Sequence, residues 1–171
     1  MNISATPLSR NTIRKMTRVV RKHLNFEDVL YFPIVDVIET LAANNKLDYE
    51  IVNEDEMLDT YGTTNTINNI MKIRENVYDG AVKGNPRDRF TLCHEFGHWL
   101  LHQPKYISFA RGNIPIYRNP EWQANTFAAE LMIPYNLVYG MNLDEIVNKC
   151  GVSYTCAKIQ SKYIDVSSFV S

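Results

Sequence analysis

Apolar residues recur at helical spacing early in the chain. Ile13, Met16, Val20 and Leu24 fall three or four apart and predict a helix over residues 9–24. Arg10, Arg14, Lys15, Arg18, Arg21 and Lys22 fill the other positions with no acidic residue among them, so this reads as a core-packed helix with a solvated basic face. A second helix is predicted from Pro33, a residue suited to a first turn; it carries Val37, Ile38 and Leu41 inward and ends near Asn44-Asn45. Alternation then replaces helical spacing. Tyr49-Glu50-Ile51-Val52 reads as a short strand, and Asn53 with Glu56 as a capping box opening a short helix through Leu58. The Thr/Asn-rich residues 61–69 read as loop or irregular strand, and Ile70-Met71-Lys72-Ile73-Arg74 as the better strand.

Gly80 and Gly84-Asn85-Pro86 turn the chain before a helix-compatible run from Phe90 to His102, which Pro104 stops. Residues 103–119 show no periodicity. Pro120-Glu121 opens a second strong helix over residues 121–133, with an apolar stripe of Ala124, Phe127, Ala128 and Leu131, closed by Pro134. Two further helices from Leu143 onward join at Gly151-Val152-Ser153, where Gly151 supplies a turn and Ser153 a cap. The pair has a helix-turn-helix flavour. Its second helix carries only Lys158 and Lys162 and no arginine, so packing or substrate docking is expected of it rather than direct nucleic-acid binding.

The run from Phe90 contains His94-Glu95-Phe96-Gly97-His98, an H-E-x-x-H motif. Residues four apart lie on one helix face, so His94 and His98 can present two imidazoles to one metal ion. Glu95 projects beside them as a carboxylate able to accept a proton from water, the arrangement of a zinc-dependent peptidase. Composition sets the frame for that chemistry. A chain of 171 residues, 45% hydrophobic and 22% charged, suits one globular domain, and a net charge of −1 exerts no global pull toward nucleic acid or membrane. No apolar run approaches the roughly 20 residues of a membrane span, and residues 1–9 lack an apolar signal region. Cys93, Cys150 and Cys156 show no C-x-x-C spacing and read as reduced thiols of a cytoplasmic protein.

A catalytic zinc usually takes three protein ligands. The extended pattern H-E-x-x-H-x-x-G-x-x-H fails here, with Leu101 at its glycine position and Pro104 at its last histidine. His102, one turn past His98, reads as a residue behind the ligands or at the helix end, because a straight helix does not close three turns on one small ion. Glu121, in the first turn of a separate helix, is the better candidate. A carboxylate there equally suits the helix macrodipole, and the residues alone leave the two readings open. Asn125, four residues on, can accept a proton from a ligand imidazole and fix its ring. Asp88 and Glu130 are the lesser alternatives for the third ligand.

Residues 89–102 (Arg-Phe-Thr-Leu-Cys-His-Glu-Phe-Gly-His-Trp-Leu-Leu-His) followed by residues 121–134, with the pattern E-x-x-A-N-x-F-A-x-x-L-x-x-P, resemble the ImmA/IrrE family of metallopeptidases. The resemblance is good over residues 70–134 and loose over the N-terminal helices. It implies a gluzincin-like site in which His94, His98 and Glu121 hold Zn2+, with Mn2+ possible, and Glu95 is the catalytic carboxylate. It also implies a substrate, a helix-turn-helix transcriptional repressor whose cleavage switches on mobile-element, phage or stress genes. The expected architecture is a mostly helical α+β, zincin-like domain with a small β-sheet next to the H-E-x-x-H helix. It spans residues 1–171, with 141–165 as a helix-turn-helix-like appendage. Ile70 to Arg74 is expected to be the edge strand against which an extended substrate pairs. Tyr106, Arg111, Tyr117 and Arg118 are candidates to steady the oxyanion. The rival reading is a non-catalytic regulator that binds a repressor or DNA.

Overall fold

The structure, a computed structural model, describes residues 2–164 and is a mostly helical α+β fold. In chain order its elements are β1 (Asn2–Ala5), α1 (Arg10–His23), α2 (Ile34–Ala43), β2 (Asp48–Val52), β3 (Gly62–Asn65), β4 (Ile70–Arg74), α3 (Glu75–Val82), α4 (Pro86–Leu101), β5 (Ile107–Ala110), α5 (Pro120–Met132), α6 (Tyr135–Val138), α7 (Leu143–Cys150) and α8 (Tyr154–Ser161). No helix among the described residues is long and apolar enough to cross a membrane.

The centre of the fold is α4 packed along α5, with α1 behind α5 and α3 beside α4. Leu92 and Phe96 of α4 meet Phe127, Leu131 and Met132 of α5 in a core that also takes Ile13 and Phe32. Gly97 allows that approach. A Cβ there would stand 3.1 Å from the Phe127 ring and 3.4 Å from the Ala124 Cα, so the glycine of H-E-x-G-H is a close-packing residue. Asn85 caps α4, accepting from the Arg87 and Asp88 amides, and Pro86 fits the first turn. The helix therefore begins four residues before Phe90. Gly80 lies inside α3 and makes no turn: Asp88 packs so closely over it that a Cβ would be 1.9 Å from the carboxylate.

The described residues form two small sheets. β1 pairs antiparallel with β5, and a three-stranded sheet runs in the order β2-β4-β3. Ile70–Arg74 is thus the central strand, parallel to β2 and antiparallel to β3, and both of its edges are occupied. That corrects the expectation that it receives a substrate. Burial of Met71 and Ile73 explains its strand pattern, and the same burial put it at the centre. β2 and β3 are the edge strands, and β3 is the one that lies along α4. Asn53 also fails to form a capping box. Its amide instead meets the Glu56 carboxylate at 3.5 Å, and only a 3-10 turn, Glu54–Glu56, follows.

The basic face of α1 is not simply solvated. Lys15, Arg18 and Lys22 are exposed, but Arg21 is buried and donates to the carbonyls of Leu131 (2.5 Å) and Val29. Arg10 and Arg14 reach Glu130 of α5 at 3.1 and 2.8 Å. The Glu130 side chain is fully buried, and a buried carboxylate needs paired charge. Glu130 is therefore committed to α1, away from the histidines.

At the C-terminal end, Asn142 and Glu145 form a capping box on α7, Gly151 is left-handed (φ 64°), and Ser153 caps α8. Residue 165, the last of the segment read as helix-turn-helix-like, lies outside the described residues. Buried Arg89 of α4 donates to the carbonyls of Phe32 (2.8 Å), Cys150 (3.2 Å) and Gly151, so one guanidinium ties α4 to the turn between α7 and α8. Arg89→Met is expected to destabilise the protein by about 3 kcal/mol or more, since it strands buried acceptors. Urea unfolding with a lowered midpoint and an unchanged slope would show this.

Candidate metal centre

His94 and His98 face one side of α4, with side chains 16–17% exposed. Asn119 caps α5 by accepting from the Trp122 amide, and Pro120 occupies the first turn, so Glu121 projects from the helix start toward α4. Its carboxylate oxygens lie 3.3 Å from His94 Nε2 and 3.3 Å from His98 Nε2, and the two Nε2 atoms are 3.0 Å apart. His94, His98 and Glu121 are the one group of metal-ligand type to converge in this way among the described residues. Two ligand atoms at about 2.0–2.1 Å from a tetrahedral ion stand roughly 3.3 Å apart, so two imidazoles and a carboxylate at this spacing fit a small metal ion. The Glu121 side chain is 68% exposed, which leaves the centre open on its outer side.

Electrostatics points the same way. Burial opposes charging of His94, but its hydrogen bond to Glu121 and the charges of Glu95 and Glu121 outweigh it and raise the pKa. Hydrogen bonds from His94 and His98 hold the Glu121 carboxyl well below the usual range, against the opposing effect of burial. His102 differs: burial pushes it down to about 4, so its imidazole is neutral at ordinary pH.

The supporting residues come from several elements. Asn125 Oδ1 lies 3.0 Å from His94 Nδ1. His102, at the C-cap of α4, places Nδ1 2.9 Å from His98 Nδ1 and Nε2 3.0 Å from the Gln123 amide oxygen. Glu95 is 6% exposed, and Thr64 of β3 donates to its Oε2 at 2.7 Å. β3 runs so close to α4 that a Cβ on Gly62 would be 2.9 Å from Glu95 Cγ. A cleft of about 550 Å³ joins Asp59 to Thr64 with Phe90, Thr91, His94, Glu95, His98, Glu121 and Asn125. It opens beside β1 and β5 into a second hollow, which shares Thr64, His98 and Glu121 with it. Neither wall includes Tyr106, Arg111, Tyr117 or Arg118; the phenol that does line the cleft is Tyr61. Asp88 belongs to the first turn of α4 and is not in the histidine cluster.

Thr64 and Gln123 were not singled out from the sequence. Thr64 sits in a polar stretch that reads as loop or irregular strand. Gln123 carried a usable signal. It lies four residues before Phe127, on the apolar stripe of its helix, and a polar group there must find partners.

A protein-family model, the Peptidase M78 IrrE N-terminal-like domain, matches residues 80–157, a span that contains His94, Glu95, His98, Glu121 and Asn125. No curated protein and no solved structure matches the chain.

Proposed function

Through residues 80–157 the chain belongs to the ImmA/IrrE family of metallopeptidases, and we propose that it is a zinc-dependent endopeptidase that cleaves a helix-turn-helix transcriptional repressor at a specific site. The observation that carries the reading is the convergence of His94, His98 and Glu121 in a cleft that also holds a buried carboxylate, Glu95. A bound zinc ion supplies a Lewis acid that acidifies water and polarises a peptide carbonyl. Glu95 accepts the proton of the attacking water and passes it to the leaving amine. Thr64 holds that carboxylate in one orientation through its hydroxyl. His94, His98 and Glu121 hold the ion, with Asn125 orienting the His94 ring.

The substrate segment binds extended along the outer edge of β3, the edge strand beside Glu95, making main-chain hydrogen bonds there. A groove of about 700 Å³ between α4, α5 and α8 continues from the cleft, sharing Phe90, Thr91 and Asn125 and adding Trp122, Val152 and Ile159. Its apolar lining suits an aliphatic or aromatic substrate side chain. The resemblance over residues 70–134 supports the repressor as substrate. The test is intact-mass analysis of zinc-loaded protein incubated with the repressor encoded nearest its gene and with unrelated unfolded proteins. One cut in the repressor and none elsewhere is the expected result. Cleavage of every protein would make it a general peptidase. No cleavage by zinc-loaded protein would favour the binding-only regulator.

A further inference from the structure

We propose that Gln123 and His102 are positioning residues that dictate the tautomer of His98, forcing its Nε2 to face the metal cleft as a bare lone pair. The proposal rests on the reading of His98 as a metal ligand and concerns what makes it one.

The argument starts at two backbone carbonyls. Gln123 is fully buried, and its side-chain nitrogen lies 2.8 Å from the Thr6 carbonyl oxygen and 2.7 Å from that of Tyr117. Carbonyls only accept, so the amide NH2 must face them, and the amide cannot flip. Its oxygen is then fixed toward His102 Nε2, 3.0 Å away, which must carry the hydrogen. A neutral imidazole has one N–H, so His102 Nδ1 is an acceptor. His98 Nδ1, 2.9 Å from it, must therefore donate, and His98 Nε2 is left without hydrogen.

Asn125 Oδ1 does the same to His94 in a single step, by accepting from Nδ1. Two ring lone pairs thus point at each other across 3.0 Å, with Glu121 oxygens 3.3 Å from each. In that neutral state three acceptors face one another with no donor among them, and a proton or a metal ion relieves them. The anchors are remote in sequence. Thr6 follows β1, and Tyr117 lies in the 3-10 turn Ile116–Arg118 before α5. The N-terminal strand and the irregular stretch before α5 thereby set the protonation of a residue on α4.

Nitrogen NMR of ring-labelled histidines in the metal-free protein, at mildly alkaline pH, reads the tautomers directly. His98 is expected as the Nδ1–H form and His102 as Nε2–H. His102→Leu, which removes the acceptor, should release His98 from a single tautomer and weaken zinc binding by about 10–100-fold. His102→Gln keeps an acceptor oxygen and should restore the tautomer and most of the affinity. His98 found as Nε2–H in the unmodified protein would overturn the proposal, whatever the variants do. Equal losses in the Leu and Gln variants would overturn it too, since packing alone would then explain both. Failure of the unmodified protein to bind zinc at all would instead overturn the metallopeptidase reading beneath it.

Discussion

Glu95→Gln is expected to lower kcat/KM for the repressor by about 10²–10⁴-fold, the range spanned by loss of a general base, while zinc stoichiometry stays the same. Glutamine matches glutamate in shape, and the Thr64 hydroxyl can bond its amide oxygen as it bonds Oε2 now, so the buried site should keep its packing. What is lost is the capacity to accept a proton and return it. Glu95 is not among the three converging groups, so metal should be retained. The variant separates two classes of function. A protein that acts by binding a repressor or DNA should keep its cellular effect, and a peptidase should lose it while still binding its substrate. Cleavage at an undiminished rate would remove Glu95 from the mechanism.

The parts of the fold legible in the sequence are those whose signals are local. α1, α2 and α5 carry periodic apolar residues between caps and breakers, and the structure places their ends within a residue or two of the expected ones, while α7 and α8 meet at Gly151-Val152-Ser153 as expected. β1 and β5 were not legible. Each has four residues, and Asn2 finds its partner at Ala110, so neither has meaning without the other. β3 was only half legible, as loop or irregular strand, for a different reason. The Thr and Asn residues that suggest a loop hold this strand and its turn to α4: Thr64 bonds Glu95, Thr66 the His102 carbonyl, and Asn69 the Trp99 indole.

The burial of charged and polar residues on α1, α4 and α5 was not legible. Arg21, Arg89 and Gln123 are buried because free carbonyls await them, and a carbonyl is invisible to any pattern of side chains. The same limit applies to the metal centre. The histidine pair can be read from a spacing of four. The approach of Glu121 depends on how α5 lies on α4, which Gly97 and the Phe127 ring decide.

Glu121→Ala is expected to weaken zinc binding by more than about 100-fold, since losing a ligand should exceed the loss from an outer residue, and peptidase activity should fall with it. Elemental mass spectrometry on protein purified without chelator should find about one zinc per chain in the parent and little in the variant. The pH dependence should change as well. In the parent, His94 must be free of its proton for the metal to enter, and its hydrogen bond to Glu121 raises its pKa, so affinity falls as pH drops and a proton competes for the ring. Removing the carboxylate removes the hydrogen bond and one of the charges that raise His94, so the residual binding should weaken only at lower pH. Full metal retention would point to another group: Glu130 is bound by Arg10 and Arg14, Asp88 packs over Gly80, and Asp59 and Glu95 are the other carboxylates lining the cleft. Among the imidazoles, His102 is the one that bonds a ligand histidine. It could serve only by breaking its bonds to His98 and Gln123, and the histidine tautomers of the variant would report that rearrangement.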